Sequence, residues 1–158
     1  MYRSVHIFVG FSFGLLVAGS NPSAIFYGIA GALGGWFPDI DLIYKHRKLF
    51  HNIFLLSIIS TLIFFTLCYY VNIPYVEPRR LTLSFTGGWV FHLLFDSFTK
   101  RGVYILWPLS KARLRIPIFR SDSILGNFIA VLFGLFLLYM WFKENGLIVL
   151  IDKIIFFF

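Results

Sequence analysis

Outside its lysines and arginines, this chain keeps few ionisable residues: four histidines and seven acids. The histidines are His6, His46, His51 and His92, and the acids are Asp39, Asp41, Glu77, Asp96, Asp122, Glu144 and Asp152. Imidazole and carboxylate together suit a divalent metal, with zinc preferred and manganese or iron as alternatives. The single cysteine, Cys68, excludes a four-cysteine site and an intrachain disulfide framework. His92 and Asp96 are spaced i, i+4, so on a helix they share one face. Paired helical ligands of metal-binding bundles use this kind of spacing. Asp39 and Asp41 flank one residue after Pro38, where both carboxylates can turn toward one centre. His46 and His51 stand five apart, which requires a loop-to-helix transition between them if both are ligands. The candidate metal ligands are therefore His6, Asp39, Asp41, His46, His51, His92 and Asp96. They exceed the three or four protein ligands of one zinc, so the surplus implies more than one ion or supporting roles for some.

Each candidate has a plainer reading. His6 alone reads as an interfacial histidine, and His46 among basic residues as a solvated one. Asp39 or Asp41 alone reads as a helix-end cap or an ion pair to Lys45 or Arg47. His92 and Asp96 could simply bond to each other, but ionisable groups inside a spanning segment default to a functional hypothesis. The joint arrangement favours a site.

The elements that must position these residues are membrane helices. The chain has 158 residues, 59% hydrophobic and only 13% charged. An ordinary soluble domain is about 45–50% apolar and about 25% charged. A chain this short cannot bury such a surplus in its own core, so the excess must face lipid. Ile53–Val71 and Ile124–Phe142 are uncharged and long enough to span. Leu81–Phe98 is as apolar but carries His92 and Asp96 near its end. Two shorter runs, Ile7–Gly19 extended back to Tyr2 and Ser23–Phe37, form a helical hairpin turned at Asn21-Pro22. Gly10-xxx-Gly14 and Gly31-xxx-Gly35 have the spacing of closely approaching helices in lipid.

The expected fold is an all-α integral membrane bundle of about five transmembrane helices. It forms a single domain over residues 1–142, with an apolar interfacial tail at residues 143–158. Arg3, the apolar run and Ala18-Gly19-Ser20 also outline a signal peptide. A histidine inside the run, and a second apolar run directly after it, argue against cleavage. Trp36, Trp107 and Trp141 fit an interfacial belt.

Net charge is +7. With five helices and a cytoplasmic N-terminus, ten of the fourteen basic residues fall on the cytoplasmic side. On that topology all four histidines lie at cytoplasmic helix ends. Asp39, Asp41 and Asp96 join them there. Lysine and arginine alone set the orientation, so the gathering is independent of it. The stretch Lys111–Arg120 alternates basic and apolar residues, as a topology signal does and as a segment lying on anionic headgroups does.

Three elements of this pattern resemble a known family. They are Gly35-Trp-Phe-Pro-Asp-Ile-Asp41, then His46-Arg47 and His51, then Gly88-Trp-Val-Phe-His-Leu-Leu-Phe-Asp96 with Thr99, Gly102 and Trp107-Pro108. Together they look like the YdjM-like family, described as inner-membrane-associated candidate metal-dependent hydrolases. Family members typically have His-Ser where this chain has His51-Asn52. A more distant similarity runs to zinc-dependent phospholipases C and S1/P1-type nucleases. The resemblance implies a hydrolase of the inner membrane, and does not name its substrate.

The functional expectation is a membrane-bound metal-dependent hydrolase acting on an ester or phosphoester at the membrane surface. A carboxylate left free of metal, Asp39 foremost, would act as general base. Arg47 would bind a phosphate or stabilise its transition state. Its plainer role is a topology-setting charge. The expected partners are membrane lipids and a lipid or phosphoester substrate, with no nucleic acid. The alternatives are a small transporter or channel component that uses the cluster as a metal or proton path, and a structural membrane protein without catalysis.

Overall fold

The fold is seen in a computed structural model that describes residues 1–44 and 49–146. Of residues 41–44 only the backbone course is described. The elements are α1 (Arg3–Ala18), α2 (Ala24–Trp36), a 3₁₀ helix (Phe37–Tyr44), α3 (Ile53–Tyr70), α4 (Pro78–Ser97) and α5 (Ile124–Glu144). The expected hairpin forms α1 and α2, and Asn21 turns it by accepting from the Ser23 amide at 2.8 Å. Helix α4 starts a turn earlier than its apolar run because Pro78 fits the first turn, where its missing N–H costs no bond.

Helices α1, α2 and α4 pack together at the centre, while α5 lies against α1 and α3 against α4. The central contacts are made by backbone. A Cβ added at Gly10 would strike the Gly31 carbonyl, one at Gly34 the Phe85 carbonyl, and one at Gly88 the Gly31 carbonyl. The small-residue spacings thus act as expected, and Gly31 serves both neighbours of α2. Close approach is one of the few driving forces left to helices whose surroundings are as apolar as they are. Apolar packing completes the core on two sides. Trp89, Phe85, Leu93 and Leu56 form one cluster, and Val5, Val9, Ala130 and Leu137 the other.

The five-span expectation is met only in part. Five α-helices form among the described residues, and two of them, α3 and α5, are long and apolar enough to cross a membrane by themselves. The shortfall has physical causes. At about 1.5 Å per residue, the 13 residues of α2 rise only about 20 Å before Pro38 and the 3₁₀ turn. Helix α4 carries Arg79, Arg80, His92 and Asp96, which lower its mean hydropathy. The two strongly apolar helices stand outside and expose side chains such as Leu62, Phe65, Leu132 and Phe136. The polar groups His6 of α1 and His92 and Asp96 of α4 are turned inward. The expected tail begins later than residue 143, because Lys143 and Glu144 still belong to α5; the rest of it, from residue 147, lies outside the described residues.

Candidate metal centre

The N-terminal ends of α1, α3 and α5 and the C-terminal ends of α2 and α4 meet at one end of the molecule. A few local devices bring their side chains together. Asn52 N-caps α3, its Oδ1 accepting from the Leu55 amide at 2.8 Å. Its amide also donates to the Leu49 carbonyl, closing the turn that presents His51. Trp89 holds the same turn from α4, its indole N–H donating to the Phe50 carbonyl at 2.9 Å. The end of α4 is closed by Thr99, whose hydroxyl donates to the Asp96 carbonyl at 2.8 Å. The start of α1 is tied to α5 by the Tyr2 amide, which donates to Asn127 Oδ1 at 2.9 Å.

Five of the seven candidate ligands converge. His6, Asp39, His51, His92 and Asp96 are all nearly inaccessible, between 1% and 5% exposed. His92 is central. Its Nε2 lies 3.8 Å from Asp39 Oδ1 and 3.7 Å from Asp96 Oδ2. His6 Nε2 lies 3.3 Å from Asp96 Oδ1, and His51 Nε2 lies 3.8 Å from Asp96 Oδ2. The His6 and His92 rings stack at a centroid distance of 3.9 Å, and His51 meets His92 edge-on at 5.3 Å. Two triads, His6–His92–Asp96 and Asp39–His51–His92, each place their ligand atoms within 4.8 Å of one another. His92 belongs to both.

These separations suit an ion better than direct bonds. A hydrogen bond from nitrogen to oxygen closes at about 2.7–3.2 Å. Ligand atoms around a tetrahedral zinc, each about 2.0–2.1 Å from the metal, stand about 3.3 Å apart. His92 Nε2 has no hydrogen-bond partner among the described residues, although it is fully buried. Its other nitrogen, Nδ1, is 2.8 Å from the Gly35 carbonyl. A carbonyl only accepts, so Nδ1 carries the proton and Nε2 turns its lone pair to the two carboxylates. This second contact is the usual device that orients a metal-binding imidazole. A buried nitrogen lone pair facing two carboxylates is unfavourable without a cation between them. The residues present therefore fit a divalent metal.

The sequence reading missed three contributors. Arg3 Nε lies 3.4 Å from Asp39 Oδ2, with the guanidinium largely exposed. Its position one helical turn before His6 was the available signal. The Met1 amine lies 2.7 Å from Asp96 Oδ1. The Gly35 carbonyl has no signal of its own in a sequence. Among the expected site residues, His46 and Arg47 lie outside the described residues, and Asp41 is described only as a backbone position in the 3₁₀ helix.

The model of the YdjM inner membrane protein family matches residues 1–157. The chain belongs to that family. The match extends beyond the motifs, which end near Pro108, and takes in α5 as well. YdjM membership together with the two apolar outer helices makes this an inner membrane protein. A relative in Bacillus subtilis (strain 168), the uncharacterized protein YvsG, is 24% identical over 132 residues, covering 68% of this chain and 76% of its own. No solved structure matches the chain at a significant level.

Proposed function

We propose that this YdjM protein is a membrane-bound metal-dependent hydrolase that cleaves an ester or phosphoester at the membrane surface. The observation that carries the reading is the buried His92 Nε2, held between Asp39 and Asp96 at distances that suit a shared ion. In the full reading the chain makes five spans with its N-terminus in the cytoplasm, and the cluster lies toward that side. Helices α3 and α5 provide the lipid-facing surfaces, and the polar ends of α1, α2 and α4 are sheltered between them.

A divalent cation bound there, zinc foremost and manganese or iron otherwise, supplies Lewis acidity and an activated water. His92, His6, His51 and Asp96 would hold it. The two triads share the single lone pair of His92 Nε2, so one ion at a time can use it. Gly35 fixes the tautomer of His92. Asp39 pairs with Arg3 through Oδ2 and turns Oδ1 to the cluster, the arrangement a general base needs to take a proton from water. Arg3 stands half in solvent beside that carboxylate, where an anionic substrate group would meet it. Arg47 keeps its proposed phosphate-binding role.

The test is metal content and hydrolysis together. Detergent-purified protein is assayed for bound metal and then against a small panel of phosphoesters and phospholipids. The expected result is at least one bound divalent ion and a hydrolytic activity that chelation abolishes and the metal restores. Protein free of metal after purification in metal-supplemented buffer, and inert to the whole panel, overturns the reading.

A further inference from the structure

A second polar feature lies beyond the His–Asp cluster. Past the end of α4, Lys100, Arg101, Arg120, Ser121 and Asp122 line a cleft of about 270 Å³. Its two walls come from separate stretches of chain that are pinned together. Thr99 pairs with Phe119 in a β-bridge, and the Lys100 amide donates to the Phe119 carbonyl at 2.9 Å. The backbone under the cleft is thus set by the fold.

Its charges are unequally matched. The one carboxylate, Asp122, is engaged by Arg120 through two contacts of 3.3 Å each. Lys100 and Arg101 have no ion pair among the described residues. Helix α5 begins at Ile124, and its N-terminal end adds positive potential. Two unmatched cations and Arg120 on a cleft beside a helix N-terminus point to one class of ligand, a tetrahedral oxyanion.

The location suggests where that anion comes from. The loop leading to this wall exposes Leu109, Ile116 and Ile118 between Lys111, Arg113, Arg115 and Arg120. Exposed apolar side chains interleaved with bases are the composition that settles into an anionic bilayer surface. Lipid phosphates lie at that level.

We propose that the cleft lined by Lys100, Arg101, Arg120 and Ser121 is a phosphate-binding site that receives the phosphate of a membrane lipid headgroup. It goes beyond the hydrolase reading, because the cleft requires no metal. Thr99 joins the two, donating to the Asp96 carbonyl and pairing with Phe119. A lipid held here by its phosphate is anchored beside the residue that carries the cluster.

The test is binding, read separately from turnover. Full-length protein in neutral detergent is titrated with a short-chain phosphatidic acid, a short-chain phosphatidylcholine and inorganic phosphate, by calorimetry or native mass spectrometry. Wild-type protein is expected to bind phosphatidic acid. The pair Lys100→Gln and Arg101→Gln should weaken it roughly ten- to hundred-fold, the range for losing charge-assisted bonds. Lys100→Gln alone should weaken it several-fold and serves if the double variant folds poorly. Lys143→Gln, in the last turn of α5, should change nothing. Tight binding of inorganic phosphate with the same losses supports the site and makes free phosphate its ligand. Wild-type protein that binds neither anion, or variants that bind phosphatidic acid as wild type does, overturn the proposal. Neither result changes the metal content or hydrolysis on which the hydrolase reading stands.

Discussion

Replacing His92 with alanine removes the one imidazole that both triads share. Two effects follow, and they can be separated. The metal-free protein loses the bond to the Gly35 carbonyl, worth about 1 kcal/mol, and the packing of a side chain 1% exposed. A buried side chain cut back to alanine costs about 2–5 kcal/mol. A purely structural His92 would cause that loss too, so it is not diagnostic. The metal-dependent increment is. At a free metal concentration about 100 times the dissociation constant, a ligand bound only by the folded state stabilises it by about 2.7 kcal/mol. For a chain of this length, about 1 kcal/mol moves the melting temperature by roughly 2–4 °C, so metal should raise the wild-type midpoint by roughly 5–11 °C. Without His92 neither triad is complete, and the increment should fall below about 2 °C at the same metal concentration. The assay is a pair of melting curves for each protein in detergent, one with excess metal and one with chelator. An H92A variant that keeps the wild-type increment would show that His92 is not a ligand, and the argument from its unpartnered Nε2 would fail.

Three other outcomes are expected. Gly35→Ala should destabilise the protein by about 1–3 kcal/mol in thermal or denaturant unfolding, because the new Cβ meets the His6 carbonyl; helix propensity alone would favour alanine by about 1 kcal/mol, so the sign of the change decides. Asn52→Ala should cost about 1 kcal/mol through loss of the α3 cap, with Asn52→Ser recovering much of that loss, as unfolding would show. A cysteine placed at Lys111 in a Cys68→Ser background should react with a membrane-impermeant maleimide in inverted vesicles and stay protected in intact cells; the opposite labelling would reverse the proposed orientation.

Much of the site was legible because its residues are exceptions to the composition. In a chain this apolar, a histidine and a carboxylate one turn apart on α4 stand out, and the basic residues alone placed His6, Asp39 and His51 at the same end. The glycine spacings also foretold which helices touch. Other features were hidden for physical reasons. Five apolar runs, two of them short, read as five spans, yet only α3 and α5 are both long and apolar enough to cross a membrane by themselves. Hydropathy counts residues and does not register which face a neighbouring backbone covers. Arg3 read as a topology signal, because its contact to Asp39 joins the start of α1 to the residues just past α2.

By itself the sequence determined the kinds of groups, their assignment to helix ends and the membrane setting. Periodicity, charge and hydropathy are properties of a single strand of chain. Tertiary structure alone decided that His92 Nε2 faces Asp39 and Asp96 while its Nδ1 meets Gly35. That outcome depends on three backbones approaching until one helix's carbonyl touches another's glycine, a distance no local pattern encodes.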